Sequence, residues 1–214
     1  MEIQKAPKEL FRWADELPVA LWENLMARPP AEAVISTGAS WSNGLFTLTM
    51  LGLSYTLDPE KQKIIRVGQP NHRVSYQSGV VLITTLAGSK GVPPSGNMVS
   101  PRELPGGGLF FTGAHTLNTK ALAETFERRP DTIVERIHSL GGKIVVGADL
   151  TVHLQGLPFV PFELLFWKAA QDDPARAIIS IDSRAHFHLD LAGIFALSNT
   201  LVNRLVNPKT MQLS

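Results

Sequence analysis

The sequence predicts an α+β fold, a mainly antiparallel sheet with N-terminal and C-terminal helices packed on it. Two observations favour this class. Strand-like runs follow one another through turns rather than through regular helical crossovers, which is typical of antiparallel pairing. Apolar residues recur at three- and four-residue steps near both ends of the chain, as in amphipathic helices. We expect one domain over residues 1–206 and a frayed tail at 207–214.

Residues 1–29 are expected to be helical. Pro7 suits a first helical turn, and the apolar residues after it follow helical spacing. Pro29 and Pro30 end this segment and begin a short second helix with the sequence AEAVISTG. Gly38 closes that helix at the position where a left-handed residue commonly ends one.

The middle of the chain predicts a hairpin and further helices. Residues 46–57 have the composition of strands, and the turn DPEKQ leads into KIIRV. Residues 76–87 are a short apolar run that fits a buried strand and a buried helix equally well. Residues 118–140 predict two short helices broken at Pro130, with Asp131 as the N-cap of the second.

The last third predicts three strands and a closing helix. Apolar and polar residues alternate, so Leu150, Val152 and Leu154 are expected in the core and His153 on the opposite side. The runs PFELLFWKA and RAIISID are expected to be further strands, joined by the turn QDDPA. Asp190 is expected to cap a C-terminal helix with one apolar face.

The stretch from Gly88 to Gly113, called the Gly/Pro segment below, contains seven glycines and four prolines. Glycine permits unusual backbone angles and proline fixes φ, so we expect neither regular helix nor regular strand. Loops of this length are uncommon unless they are functional or disordered, and this one is too apolar for a disordered linker. We therefore expect an ordered loop, with Leu104 or the pair Phe110–Phe111 buried, that borders a functional site.

Composition excludes several classes of function. Twenty basic and nineteen acidic residues leave a net charge of +1, unlike the single-sign field of proteins that bind nucleic acid or anionic membranes. Without cysteine, the chain forms no disulfide and holds no iron–sulfur cluster by itself. No uncharged stretch approaches the ~20 residues that span a bilayer, and the N-terminus lacks a signal-peptide core. We expect a cytoplasmic protein that binds neither nucleic acid nor membrane.

Five strings carry a resemblance to a known family. They are RPPAEAVISTGA, TMLGLSYTLDP, PSGNMVSPRELPGG, the GG–GAD pair within residues 141–149, and FWKAAQDDPARAIISIDSRAHFHL. In their order and spacing the chain resembles the uncharacterised prokaryotic family called domain of unknown function 3786. PRELPGG is the most specific piece. The resemblance implies a setting in anaerobic cofactor or redox metabolism and no particular activity.

The Gly/Pro segment offers one charged pair, Arg102 and Glu103. Arg102 could grip a carboxylate or phosphate through two parallel hydrogen bonds, and Glu103 could be a base or an orienting group. Alternatively, the pair binds backbone groups of the loop and holds it to the body of the protein.

Four histidines are candidates for a site. His186 and His188 are two residues apart, so on an extended segment both would face one side, as a metal or haem ligand pair does. His153 lies on the polar side of its strand, and His115 follows the Gly/Pro segment. Histidine is also a common surface residue, and the chain lacks H-E-x-x-H or another known metal-binding spacing.

Asp172, Asp173 and Trp167 complete the candidates. Paired carboxylates support acid–base chemistry when one pKa is raised, but two aspartates before Pro174 also suit a tight turn. Trp167 could stack a ligand, although its apolar neighbours favour a place in the core.

These residues predict a non-catalytic binding or accessory protein with the Gly/Pro segment beside a site for a small molecule or a protein partner. One alternative is a carrier of a tetrapyrrole-like cofactor, or an enzyme acting on an anionic metabolite, with Arg102 as the clamp and a histidine as ligand. Another alternative is a structural subunit of a larger complex.

Overall fold

A computed structural model describes residues 13–207, and in this range helices pack beside two antiparallel sheets. The helices are α1 (Val19–Met26), α2 (Pro30–Thr37), α3 (Tyr76–Gly88), α4 (Gly107–Phe110), α5 (Thr119–Arg128), α6 (Pro130–Ser139) and α7 (Leu191–Val206). The strands are β1 (Ser40–Ser42), β2 (Leu45–Met50), β3 (Leu53–Asp58), β4 (Lys63–Arg66), β5 (Met98–Val99), β6 (Lys143–Val145), β7 (Leu150–Leu157), β8 (Val160–Trp167) and β9 (Arg176–Asp182). The α+β prediction is confirmed, with two sheets where one was expected.

The N-terminal prediction is only partly covered by the described residues. Pro7 and the rest of residues 1–12 lie outside them, as does the predicted tail after Asn207. The part that is described is not one continuous helix, because a 3-10 turn at Ala14–Glu16 comes first and Pro18 precedes α1. Proline has no backbone N–H and restricts the residue before it, so the turn cannot run on into α1.

Three predicted helix boundaries are confirmed. Pro30 is the first residue of α2, and Gly38 ends it with a φ of +69°. Asp190 caps α7, since its Oδ1 accepts a hydrogen bond of 2.7 Å from the backbone N–H of Gly193.

The predicted cap of α6 is wrong. Arg129 is the N-cap residue, and Pro130 is the first residue of the helix. Proline suits that position because its missing N–H would have no helical partner there, and the cap is therefore two residues upstream of Asp131. Asp131 therefore lies inside the first turn, where its charge still favours the helix N-terminus.

The ambiguous apolar run is helix α3. Ser75 caps it, with its Oγ accepting a hydrogen bond from the N–H of Ser78. The helix is buried along most of its length because α1 packs on one side and α7 on another. At Gly79 an added Cβ would lie 2.7 Å from Leu17 and 2.9 Å from Ala14, so glycine permits the close approach of the N-terminal turn.

The first sheet is a meander in the order β1-β2-β3-β4, with Leu48 opposite Tyr55. The turn between β2 and β3 consists of Leu51 and Gly52, whose φ angles are +50° and +72°. Leu51 is fully buried, and its N–H donates a hydrogen bond of 2.8 Å to the Gly156 carbonyl in β7. This turn therefore fastens the first sheet to the second.

The second sheet has the order β5-β9-β8-β7-β6, with Val152, Leu164 and Ile179 in one row across β7, β8 and β9. His153 is exposed, and the three apolar residues predicted for the core are buried, namely Leu150, Val152 and Leu154. The register prediction for β7 is confirmed. Helix α5 packs on β9, and α7 contacts α3, α5 and α6.

Candidate functional site

The Gly/Pro segment is an ordered part of the fold. It contains β5, 3-10 turns at Pro101–Glu103 and Gly113–His115, and the four-residue helix α4, so the expectation of no regular structure is wrong for these short pieces. Leu104 and Phe111 are 3% and 4% exposed, which confirms the predicted burial. The segment is thus held by its own apolar side chains and by polar anchors.

Asp182 anchors the middle of the segment. Its carboxylate is fully buried and accepts hydrogen bonds from Ser95 Oγ (3.1 Å) and from the N–H groups of Gly96 (2.7 Å) and Arg184 (2.9 Å). Burial raises the pKa of Asp182, but these hydrogen bonds outweigh it, so the pKa lies below the usual value. The ionised carboxylate fixes the segment at the end of β9.

His188 anchors the start of the segment. Its Nε2 lies 2.9 Å from the Val92 carbonyl oxygen, which only accepts, so Nε2 carries a proton. Its Nδ1 lies 2.8 Å from Ser89 Oγ, which is also 2.6 Å from the Ser36 carbonyl oxygen. Burial is the main cause that lowers the pKa of His188 below its ordinary value, so the fold disfavours the charged form of the ring.

Arg28 extends this network to the end of α3. Its Nη1 donates to the Leu86 carbonyl (2.8 Å), and its Nη2 donates to the Ser89 carbonyl (2.7 Å) and to Ser36 Oγ (2.6 Å). The last carbonyls of a helix have no helical partner, and here a guanidinium supplies the donors. The network therefore joins α2, α3 and the Gly/Pro segment.

The contact between Ser89 and His188 joins residues 99 positions apart, so no local pattern in the sequence predicts it. A serine beside a histidine can be an activated nucleophile. Here Ser89 is 1% exposed, and the other ring nitrogen of His188 faces a carbonyl rather than a carboxylate. The arrangement stabilises the fold and does not present a nucleophile to a substrate.

Glu103 holds the 3-10 turn in place. Its Oε1 accepts a hydrogen bond of 2.9 Å from the N–H of Ser100, while Ser100 Oγ accepts one from the N–H of Arg102. An added Cβ at Gly107 would overlap the Pro101 carbonyl oxygen, so the turn leaves no room for a side chain there. Glu103 and the glycine thus account for much of the PRELPGG string, and Glu103 acts on the loop backbone.

Arg102 lines a cleft between the Gly/Pro segment and β9, called the β9 cleft below. The cleft has a volume of about 220 Å³. Residues 177–179 of β9 line it together with the apolar side chains of Phe111 and Leu117. The polar part of the lining, besides Arg102, consists of three hydroxyl residues, Ser100, Thr116 and Thr119.

Arg102 differs from its neighbour Glu103 in having no partner. Its side chain is exposed, and its guanidinium makes no hydrogen bond or ion pair with any other residue in the range 13–207. It is also the one ionisable side chain among the described residues that line the cleft. A free cation in a mostly apolar cleft is suited to bind an anionic group.

His115 lies next to the β9 cleft but not in its lining. Its ring stacks on Phe110 with 4.3 Å between centroids and meets the edge of Phe195 at 5.2 Å. Leu109, which precedes Phe110 in helix α4, is 88% exposed. His115 therefore belongs to an aromatic cluster that supports the segment from the side.

The other candidates on the second sheet lie elsewhere. His153 Nε2 is 3.1 Å from Glu163 Oε2 on the neighbouring strand, an exposed pair. Trp167 is half-buried, and the Arg176 guanidinium stacks on its ring at 4.3 Å, so it is neither fully in the core nor free to stack a ligand. Neither residue lines the β9 cleft.

Asp172 and Asp173 lie in a tight turn. The backbone N–H of Ala170 donates to the Asp173 carbonyl (3.0 Å), and the N–H of Asp173 donates to the Ala170 carbonyl (2.9 Å). Gln171 has a φ of +51° inside this turn. The turn alternative for the aspartate pair is confirmed, and neither aspartate lines the β9 cleft.

His186 and His188 do not share the geometry of a ligand pair. Residues 185–187 form a 3-10 turn, so the premise of an extended segment is wrong. His186 Nδ1 lies 2.9 Å from the Ser183 carbonyl oxygen, whereas both ring nitrogens of His188 already have partners. Residues 13–207 contain no group of three or more histidine, aspartate or glutamate side chains placed to hold a metal ion.

Comparisons with known proteins support the family alone. Searches of curated proteins and of solved structures returned no match. Across the described part of the chain, no helix is long and apolar enough to cross a membrane. A family model matches residues 29–204, a span that includes the Gly/Pro segment, β9 and nearly all of α7. The chain therefore belongs to the family described as domain of unknown function (DUF3786).

Proposed function

We propose that this protein is a non-catalytic binding or accessory protein that holds an anionic group of its ligand or partner in the β9 cleft. The observation that carries the proposal is that Arg102, which lines this cleft, has a guanidinium without a partner among the described residues. An arginine presents several N–H donors in a plane, which matches the two oxygens of a carboxylate or phosphate.

The cleft lining supports binding more than catalysis. The groups beside Arg102 are hydroxyls and apolar side chains, and an arginine is a poor proton donor or acceptor near neutral pH. The Gly/Pro segment is fixed by Asp182, His188 and Glu103, so the binding surface is formed in advance and loses little entropy when a ligand binds.

The resemblance to the family supports a setting in anaerobic cofactor or redox metabolism. A chain without cysteine needs no oxidising compartment, which is in keeping with a cytoplasmic location. Both statements are part of the proposal.

The proposal is tested by titrating isotope-labelled protein with N-acetyl-leucine and, separately, with its C-terminal amide. We expect the acid to shift the amide resonances of Thr116, Leu117 and Ile178 with a roughly millimolar dissociation constant, and the amide to shift them far less. Arg102→Ala should abolish the shifts, whereas Arg102→Lys should retain only part of them because it loses the planar donors.

Arg176→Ala is the matched control, because Arg176 is also an exposed arginine of the same region but stacks on Trp167 outside the cleft. It should leave the titration unchanged. Equal shifts with acid and amide, or equal binding by wild type and Arg102→Ala, would contradict the proposal.

A further inference from the structure

We infer that the β9 cleft receives the C-terminal end of a partner polypeptide, which adds to the open edge of β9 as a short strand with its terminal carboxylate on Arg102. This inference rests on the proposed function and specifies the class of ligand. It follows from the backbone of β9, the position of β5 and the charge of the cleft.

Strand β9 is covered on one edge over only part of its length. Along β8 it is paired from Arg176 to Ile181, but β5 pairs with Ile181 and Asp182 alone. After β5 the chain no longer runs beside β9, because a 3-10 turn begins at Pro101. From residue 176 to residue 180, this edge of β9 therefore has no neighbouring strand within the described chain.

The residues whose backbone N–H and C=O groups point to this edge can be identified, because these groups alternate between the two sides of a strand. The N–H of Ser183 donates to the Asn97 carbonyl (2.9 Å), so residue 183 faces the β5 side. Every second residue faces the same side, which places the N–H and C=O groups of Ile181, Ile179 and Ala177 along one edge. The β9 cleft lies against residues 177–179, and so it lies beside two sets of backbone groups that a new strand could pair with.

The blocked end of this edge favours a chain terminus. A strand added beside Ile179 and Ala177 cannot continue past Ile181, because β5 already occupies that place. An internal segment would have to turn sharply out of the cleft at that point, whereas a terminus simply ends. Arg102 follows the end of β5 by three residues and lines the cleft, so its positive charge can complement the C-terminal carboxylate of a strand that ends beside β5.

The side chains that line the cleft indicate which residue types the bound C-terminal segment should contain. Phe111, Leu117 and Ile178 provide apolar contacts, and the hydroxyls of Thr116 and Thr119 can bind backbone groups of the peptide. Alternate residues of a strand point to opposite sides, so every second peptide side chain should contact this lining. We expect an apolar residue among the last few positions.

The test uses tetrapeptide mixtures, randomised at every position, with free C-terminal carboxylates, and matched mixtures with C-terminal amides. The tightest-binding peptide selected from the acid mixture should bind at least tenfold more weakly when it is made as the C-terminal amide. The same acid peptide should bind Arg102→Ala more weakly than wild type by a similar factor. Arg176→Ala should bind it as wild type does. On binding, the backbone amides of Ala177 and Ile179 should exchange with solvent more slowly, while that of Ile178, paired to β8, should change little.

N-methylation along the selected peptide distinguishes strand addition from simple carboxylate binding. A methyl group should weaken binding at every second residue, where the N–H faces β9, and be tolerated at the residues between. Uniform tolerance at all positions would overturn the inference.

The outcomes separate this inference from the proposed function. If N-acetyl-leucine binds through Arg102 but longer peptides bind no tighter and leave the exchange of Ala177 and Ile179 unchanged, the strand inference is wrong and the proposed function stands. If neither acid binds to the cleft, both are wrong. Selection of peptides by an internal acidic side chain, with acid and amide termini equivalent, would also overturn the inference.

Discussion

Two arginines of this molecule have opposite surroundings. Arg204 in α7 is fully buried, and its Nη2 donates a hydrogen bond of 2.7 Å to the Tyr55 hydroxyl. Its Nη1 donates long hydrogen bonds to the carbonyl oxygens of Leu51 (3.4 Å) and Met50 (3.5 Å). Arg102 is exposed on the wall of the β9 cleft and has no such partner among the described residues.

The difference reflects how each loop satisfies its backbone. The turn at Leu51 and Gly52 is buried between the sheets, so its carbonyls cannot bind water and need a donor from the protein. Burial is the main cause that lowers the pKa of Arg204, which shows that the fold places this charge at a cost in hydration. The Gly/Pro segment is anchored by Asp182, His188 and Glu103 instead, which leaves Arg102 free for a ligand.

The largest effect is expected at the turn beneath Arg204. In Gly52→Ala, the Cβ would lie 2.5 Å from the carbonyl carbon and oxygen of Leu140, at a φ of +72°. Strained backbone and overlap each cost about 1–3 kcal/mol, so urea denaturation should show a loss of several kcal/mol. Gly68→Ala is the matched control, because φ is +78° and nothing lies within 4 Å. Equal losses in the two variants would show that the turn is not tightly buried.

Replacing the two arginines tests the comparison directly. Arg204→Ala removes the hydrogen bonds that Arg204 donates to the Tyr55 hydroxyl and to two carbonyls, so the free energy of unfolding should fall by on the order of 3–5 kcal/mol. Arg102→Ala should change it by less than about 0.5 kcal/mol, because an exposed side chain without partners is removed. Both values come from urea denaturation followed by circular dichroism. A loss of stability in Arg102→Ala like that in Arg204→Ala would assign Arg102 to the fold.

One strand repeats the contrast between inward and outward residues. Leu154 in β7 is 3% exposed, and Leu154→Ala should cost roughly 2–5 kcal/mol of stability. His153, beside it, makes only an exposed contact with Glu163, so His153→Ala should cost less than about 1 kcal/mol. The reverse order in denaturant melts would contradict the register of β7.

A smaller effect is expected in the pH dependence of stability. The folded state lowers the pKa of His188, chiefly by burial, while the Val92 carbonyl and Asp182 oppose this and His186 adds to it. Below the ordinary value of 6.5, the unfolded chain binds a proton that the folded chain does not, so the free energy of unfolding should fall as the pH falls. The fall should end once the folded His188 is also protonated.

Variants separate this contribution from others. Burial and Arg66 also lower the pKa of His72, so it contributes in the same direction. His188→Asn should therefore reduce the slope of stability against pH below 6.5, and His72→Asn should reduce the remainder. An unaltered slope in His188→Asn would show that the His188 ring is not held neutral by the fold.

Local sequence was sufficient for much of the fold. Gly38 and Asp190 mark helix ends because the energetics of a cap involve only neighbouring residues. Alternation along β7 predicted which of Leu154 and His153 faces the core, because side chains on a strand alternate whatever their surroundings. The apolar residues of the Gly/Pro segment predicted that it is ordered, and Leu104 and Phe111 are indeed buried.

Tertiary structure decided what depends on distant residues. Residues 76–87 became a helix because α1 and α7 surround them, which periodicity within the run cannot reveal. His188 meets Ser89 across 99 positions, and Arg204 meets Tyr55 across 149, so no local pattern announces either contact. Arg102 and Glu103 are adjacent in the chain, and both are exposed. Only the folded structure shows that Glu103 binds the backbone of the loop, whereas Arg102 lines the β9 cleft. Sequence states which groups are available, and the packing of distant elements decides which of them remain unpaired.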